Sequence, residues 1–488
     1  MRLRLFRQAA RKDSILTGIP GPSLRAKPTR LTAVSAVALA LVVPVTIYAT
    51  RQTPASLHSA GIAEQACKPS DIVSVPPGVR GAYIPDSNVL VAGNHVYLGA
   101  AEAGSPKSLS ASAQCVASDV GLEHAWLAAG AIPGENSWER SMATRALLDL
   151  RLLVRPNGAV EASSYGVWQY AWPRDSSWVA AALAATGHTA DAFRILRFLR
   201  EQQSPDGTWA ARSHPDGSGA VQDGRPPELD AVGWVPWAAW SWFTAAERAS
   251  KSQADTQLAL VWPMIVSAAD AADASLTADD LPVASMDYWE DQPIGQTIET
   301  AAALLAGLRA AADLAAARND TALSAKWAAA AVKLSAGVER GFVRSGFHRT
   351  AFSPASGVDA AITILGPPFS APSTILLQSA RTAQEALTMP NGGLRPGTSW
   401  HGSSGGVSWT PETAFFALFD AETGQRGQAD TLLAWLYNHR TVLGELPEQV
   451  GSSGQPLSVA PLAWTDSIVL LALVAQGTGL PTVPDPEP

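Results

Sequence analysis

From about residue 120, alanine- and leucine-rich segments with helical spacing are joined by connections that alternate between tight and long. The spacing predicts helices over about 136–153, 175–186, 189–203, 228–248, 254–272, 294–318, 321–340, a short one near 359–365, then 373–387, 409–423, 426–440 and 462–476. Thr186-Gly187-His188, Arg318-Asn319-Asp320 and Thr423-Gly424-Gln425 leave room only for tight turns between antiparallel neighbours. Long loops fall at about 154–174, 204–227, 273–293, 341–358, 388–408 and 441–461. In an up-and-down array every second loop lies at the same end, so the long loops share one end. About twelve helices with this rhythm fit an all-α fold, a closed (α/α)6 barrel whose inner helices follow the long loops. Small residues such as Ala180-Ala181-Ala182 and Ala301-Ala302-Ala303 would let the inner helices approach closely. An open helical solenoid is the alternative. The parity depends on the short eighth helix, and without it the long loops would not share one end.

Three of these loops carry chemistry-bearing residues at or just before a helix start. Glu290 lies in Met286-Asp287-Tyr288-Trp289-Glu290-Asp291, Glu448 in Leu446-Pro447-Glu448-Gln449, and Arg174 and Asp175 in Trp172-Pro173-Arg174-Asp175. A single glutamate beside a tryptophan is more commonly structural, so the weight rests on three motifs falling at equivalent places. Cleaving a glycosidic bond needs one protonated carboxyl for the leaving oxygen and one ionised carboxylate to activate water. Burial against an indole such as Trp289 and repulsion from acids such as Asp287 or Asp291 raise a carboxyl's proton affinity, and donors such as Gln449 lower it. Asp175 at a helix start could instead be only a cap. Arg225, Glu228 and Asp230 open the fourth helix and are further candidate pocket residues, although acids in a first helical turn are expected on dipole grounds alone. Trp234 and Trp237, three apart on one face, read as core.

Composition excludes some classes. The net charge of −8 argues against a nucleic-acid partner, which calls for a basic face. The 17 tryptophans all lie between Trp126 and Trp464, and indole suits both core packing and the C–H faces of sugar rings. Two cysteines and 8 scattered histidines give no metal-ligand spacing, and no cofactor is implied.

Residues 1–30 hold eight Arg and Lys against the single acid Asp13, and Leu31 to Ala49 then runs 19 residues without a charge. That is close to the ~20 residues that cross a bilayer. The reading is a basic cytoplasmic tail (1–30) and a transmembrane signal anchor (31–50), with a cleaved secretory peptide as the alternative. Either places the remainder outside the cytoplasm, at the cell membrane or secreted. Cys67 and Cys115 then lie in an oxidising compartment, where an even count suggests a disulfide. Residues 51–118 read as a small, partly β linker or pre-domain, with strand-like runs at Asn88–Val91 and His95–Leu98. Residues 119–478 form the barrel, and the Pro- and Asp-rich stretch 479–488 reads as a disordered tail.

The run Tyr170-Ala171-Trp172-Pro173-Arg174-Asp175, with Gly187, Ala192, Gln203, Asp206-Gly207-Thr208-Trp209 and Glu228-Leu229-Asp230, resembles glycoside hydrolase family 15, the glucoamylases, glucodextranases and bacterial trehalases. Tyr288-Trp289-Glu290-Asp291 resembles the family's general-acid motif, and Leu446-Pro447-Glu448-Gln449 with Pro461-Leu462-Ala463-Trp464 its general-base motif. The resemblance runs from about Trp138 to Leu473. It implies an (α/α)6 barrel and inverting exo-hydrolysis of an oligo- or polysaccharide from its non-reducing end, releasing glucose from α-glucosides. Glu290 would be the acid and Glu448 the base, with Arg174 and Asp175 gripping the terminal glucose. Trp172 and Trp289 would line the pocket, and Arg395 resembles a sugar-contacting arginine. Asp291 stands where fungal members commonly carry a further Glu, and Pro396 where an aromatic is usual. Residues 51–118 are too few for the β-sandwich of many bacterial members. The departures leave the linkage open: trehalose, an α-1,6 bond or an envelope glycan are alternatives on the same scaffold. A silent barrel that binds carbohydrate or a protein partner is another.

Overall fold

The computed structural model describes residues 56–65, 68–92, 95–97, 113–292, 294–400 and 406–485. The expected tail and anchor, 1–30 and 31–50, lie outside the described residues.

Among the described residues eleven α-helices carry the fold: α1 (Ala113–Ala129), α2 (Ser137–Leu153), α3 (Pro173–Ala185), α4 (Thr189–Gln202), α5 (Ala231–Ala274), α6 (Ile298–Ala317), α7 (Thr321–Gly341), α8 (Thr374–Leu387), α9 (Thr410–Glu422), α10 (Arg426–Asn438) and α11 (Ala463–Gly477). Helix α5 is two arms of a helical run broken at Ser250, whose φ of −160° and ψ of 103° are extended. The expected eighth helix is a 3-10 turn, Ala360–Leu365, capped by the Asp359 carboxylate on the Ala361 N–H. With it the parity holds. The first arm of α5 packs on α3 and α6, α6 and α9 both pack on the 3-10 turn, and α11 closes the ring between α9 and α3. These six segments are the inner layer. Helices α3, α6, α9 and α11 are buried on almost every face, whereas α4, α7 and α8 bury one stripe. Among the described residues α6 is also the one helix of at least 18 residues apolar enough to cross a membrane, but it lies inside the ring.

Small residues set the spacing of the inner layer. A Cβ added to Gly307 on α6 would lie 2.4 Å from the Gly233 carbonyl oxygen on α5, and one on Gly233 would lie 2.2 Å from the Ala303 oxygen. The two backbones therefore touch. Trp178, Trp234, Trp237, Phe369 and Phe415 pack ring against ring between the inner helices, with centroids 5.1 to 5.5 Å apart. Trp234 and Trp237 are fully buried, as core residues should be.

Three sequence expectations need correction. The division at 118 falls inside α1, whose 17 residues include three charged or histidine side chains and no helical stripe strong enough to betray it. The stretch before the barrel is not a separate domain, because everything from Gln52 onward is one compact unit. It forms a hairpin of β1 (Gly61–Gln65) and β2 (Lys68–Val75) and an antiparallel sheet of β3 (Ala82–Tyr83), β4 (Leu90–Ala92) and β5 (His95–Tyr97), the last two in the expected strand-like runs. Finally, the stretch from 479 is docked as far as Asp485. Val483 is buried and its N–H donates to the Pro368 carbonyl, Leu480 N–H donates to Glu422, and Arg309 pairs with Asp485 at 2.7 Å. Proline removes donors but does not prevent this docking, because the partners lie on the barrel. Cys115 is disulfide-bonded, and the expected partner Cys67 lies outside the described residues.

The long loops carry short strands of their own: a hairpin of β6 (His348–Thr350) and β7 (Ser353–Val358), and a small sheet in which β9 (Gln449–Val450) lies between β8 (Ser408–Trp409) and β10 (Pro456–Leu457).

Candidate active site

Glu290 sits in a turn held from below. Asp287 closes that turn twice: its carboxylate accepts from the Trp289 N–H at 3.0 Å and its carbonyl from the Glu290 N–H at 2.7 Å. Glu290 itself has φ +55°, a left-handed conformation that a side chain with a Cβ adopts only where its surroundings impose it. The surroundings here are Arg349, which pairs with Asp287 at 2.8 Å and Asp359 at 2.6 Å and lies 3.6 Å over the Trp289 ring. Tyr288 donates its hydroxyl to Asp359 at 2.5 Å. On its other face Trp289 presses on Gly397, where a Cβ would come within 2.3 Å of the indole.

The sequence expectation for Glu290 was a carboxyl sequestered against Trp289. Instead its side chain is 31% exposed and forms an ion pair with Arg225, and Arg174 lies 4.0 Å away. Asp291 follows it, half-buried, in the same loop.

Glu448 lies immediately before β9 and is half-buried. Its N–H donates to Val459 at 2.8 Å and its carbonyl accepts from Thr410 at 3.0 Å. Its carboxylate accepts from the Ser458 hydroxyl and from the Trp168 indole, the latter at 3.4 Å. Among the described residues no hydrogen bond is found from Gln449, the expected donor, to this carboxylate. Burial pushes the Glu448 carboxyl above its ordinary range, the two donors pull it back, and the charge of Glu290 adds a further upward push. Among the described residues no hydrogen bond joins Glu290 to Glu448.

Arg174 is fixed at the start of α3. It donates to Glu228 at 2.6 Å and Asp230 at 2.9 Å, and it lies 5.2 Å over the Trp464 ring. Glu228 and Asp230 therefore serve Arg174. Burial raises the proton affinity of both, and the guanidinium opposes that rise. Asp175 is not a cap, because α3 begins two residues earlier at Pro173 with Trp172 in the cap position. Its carboxyl is pushed up to about 6 by burial, with Arg174 opposing and Glu290 adding to the shift. Trp172 is buried under Arg212, whose guanidinium lies 5.0 Å from its ring and pairs with Asp223. Asp223 in turn stands 3.6 Å from Arg225.

The Arg395 guanidinium donates to the Ala386 carbonyl near the end of α8 at 3.2 Å, and among the described residues no hydrogen bond or ion pair links it to Glu290, Glu448 or Arg174. Arg349 is the arginine that supports the acid loop. Arg349, Trp168 and Ser458 were missed because each acts across the fold. Trp168, in the same run as Trp172 and Arg174, was the one with a visible signal.

The Trp172, Trp289 and Trp464 indole nitrogens and one oxygen each of Glu228 and Asp230 are buried without a hydrogen-bond partner, so unspent polar capacity is concentrated around this cleft. Among the described residues no group of three or more His, Cys, Asp or Glu is arranged to hold a metal ion.

This barrel, with carboxylates presented from its long-loop end, has the fold of solved glycosidases and family 15 glucoamylases. It matches a wild-type glycosidase with a TM-score of 0.59 at 21% identity, over 70% of this chain and 99% of that one. A family 15 glucoamylase from Hypocrea jecorina matches with a TM-score of 0.60 at 16% identity, over 72% of this chain and 74% of that one. A bacterial glucoamylase complexed with acarbose matches with a TM-score of 0.57 at 17% identity, over 74% of this chain and 59% of that one. No protein-family model and no curated protein sequence matches the chain.

Proposed function

We propose that the protein is an inverting, exo-acting glycoside hydrolase that releases glucose from the non-reducing ends of α-glucosides, with Glu290 as general acid and Glu448 as general base. One observation carries the reading. A single stretch of chain, Trp168 to Arg174, reaches both carboxylates: Trp168 donates to Glu448, and Arg174 stands 4.0 Å from Glu290. The two acids are thus reached from one short stretch, which supports the reading that they act on opposite sides of one bound sugar, as inversion requires. Glu448, held by neutral donors, suits activation of water. Glu290 must reach the glycosidic oxygen carrying a proton, so substrate has to displace its Arg225 contact. Arg174 and Asp175 suit recognition of sugar hydroxyls in a dry pocket, which would reject a sugar lacking them because their own groups would be left unpaired. Placement at the outer face of the membrane, through residues 31–50, belongs to the same proposal.

The test uses maltooligosaccharides, isomaltose and trehalose, with the released anomer followed by NMR. Release of β-glucose supports inversion, and the preferred substrate distinguishes the glucoamylase-like activity from the trehalase and α-1,6 alternatives. Glu290→Gln and Glu448→Gln should each lower kcat by ~10²-fold or more. Near-normal turnover in either variant removes that residue from its role.

A further inference from the structure

The two donors that hold Glu448 lie in loops that are themselves held from outside the barrel. Ser458 has φ +66°, which a serine keeps only under external restraint. That restraint comes from the stretch before the barrel: Leu57 bridges Ser458 in parallel register, and the His58 N–H donates to the Ser458 carbonyl at 2.7 Å. Trp168 ends a 3-10 turn, Gly166–Trp168, tied to Ser163 through the Ser163 N–H to Trp168 carbonyl bond of 3.0 Å. The same stretch grips this turn as well. Ser74 on β2 donates its hydroxyl to the Ser164 carbonyl at 2.8 Å, and the His58 ring stacks on Tyr165 at 5.2 Å and 6°. The loop that bears Glu448 is also fastened at its beginning, where the Thr441 hydroxyl donates to the Ala60 carbonyl at 2.5 Å.

We propose that Leu57 to Ala60 together with Ser74 on β2 act as a positioning element for Glu448, holding the Ser458 hydroxyl and the Trp168 indole where they orient its carboxylate. His58 and Ser74 touch neither carboxylate and act only through these two loops. The inference rests on Glu448 being the general base, and it gives the stretch before the barrel a part in the reaction beyond attachment. Three charged or titratable groups bear on the outcome: Glu448 itself, Glu290 from the loop before α6, and Glu412 from the start of α9. Neither His58 nor Ser74 changes the last two, so a shift in how Glu448 titrates reports on the donors. Hydrogen bonds to a carboxylate favour its ionised form, so loosening the donors raises its proton affinity.

The experiment compares wild type with His58→Ala, Ser74→Ala, the double variant and His58→Pro, which deletes the N–H donated to Ser458. Ser458→Ala serves as the benchmark. Each is followed by carbon-13 NMR titration of the Glu448 carboxyl in the free protein, by the pH profile of kcat/KM on maltotriose, and by thermal unfolding. The double variant and His58→Pro should raise the Glu448 midpoint by roughly one unit and move the acid limb of kcat/KM upward with it. They should lower kcat by about tenfold with KM within about twofold. His58→Ala and Ser74→Ala alone guard against a His58→Pro chain that does not fold. Folded variants whose Glu448 midpoint and acid limb match wild type overturn the proposal. Because the titration needs no substrate, a shifted midpoint in a protein that cleaves none of the α-glucosides supports the brace while removing the hydrolase reading.

Discussion

Glu412 is buried in the first turn of α9 with one carboxylate oxygen unpaired, and it faces both Asp359 and Glu448. Burial, with smaller contributions from those two neighbours, pushes its carboxyl up to about 8. A carboxyl whose folded value lies above its unfolded one stabilises the fold at low pH. That contribution is fully present below about 4.5 and is lost as pH rises through about 8, at about 1.4 kcal/mol per pH unit between them. Glu412→Gln keeps the shape and removes the titration. Urea midpoints at pH 5, 6.5 and 8 should show wild type losing stability relative to Glu412→Gln as pH rises, and parallel curves would exclude the assignment. The residue scale is also where sequence reading was least complete. Glu290, Glu448, Arg174 and Asp175 announce themselves because aromatic or proline neighbours single them out. Arg349 and Ser458 do not, since their partners are 62 and 10 residues away and only folding brings them together. For Arg395 a loop position says which end of the barrel a residue occupies, not which way its side chain turns.

Helices were the legible part, because apolar periodicity and tight Gly- or Asn-bearing turns are local signals. The inner 3-10 turn was legible only as a short helix: six residues are too few for their spacing to distinguish α from 3-10 geometry. The small sheet of β8, β9 and β10 was invisible, since strands of two residues have no alternation to read. What periodicity could not convey is how closely the inner helices approach. The contact between Gly233 and Gly307 makes that testable. In an isolated helix Gly→Ala gains about 1 kcal/mol. Here the added methyl of Gly307→Ala meets backbone, which cannot swing aside, and overpacking costs typically 1–3 kcal/mol. Gly307→Ala should therefore lower the urea midpoint despite its better helix propensity. A rise would mean that α5 and α6 separate freely and that the ring is not set by their contact.

At the scale of the molecule, the barrel and the stretch before it share a buried charge network. Tyr83 places its hydroxyl between the Ile62 carbonyl, at 2.5 Å, and the Glu445 carboxylate. Arg145 on α2 lies 4.2 Å from the Tyr83 ring, pairs with Asp149 at 2.9 Å, stands 3.5 Å from Glu445 and also donates to the Ser87 carbonyl. Around it Ala60, Ala63, Val75 and Leu90 form a small apolar cluster with Leu443, a residue of the loop that carries Glu448. A buried network of this kind is stable only when complete, because each group left unpaired costs its desolvation. The stretch before the barrel therefore has no independent core to keep if the barrel opens, and the loop of Glu448 loses part of its support if that stretch leaves. Calorimetry should give one cooperative transition for the unit that begins at Gln52. Tyr83→Phe removes one hydroxyl and leaves the Glu445 carboxylate without that partner, a loss of about 1–3 kcal/mol. The whole transition should move down together. A separate low-temperature transition, in wild type or in Tyr83→Phe, would mean that the two parts fold independently, and the network would then join them without coupling them.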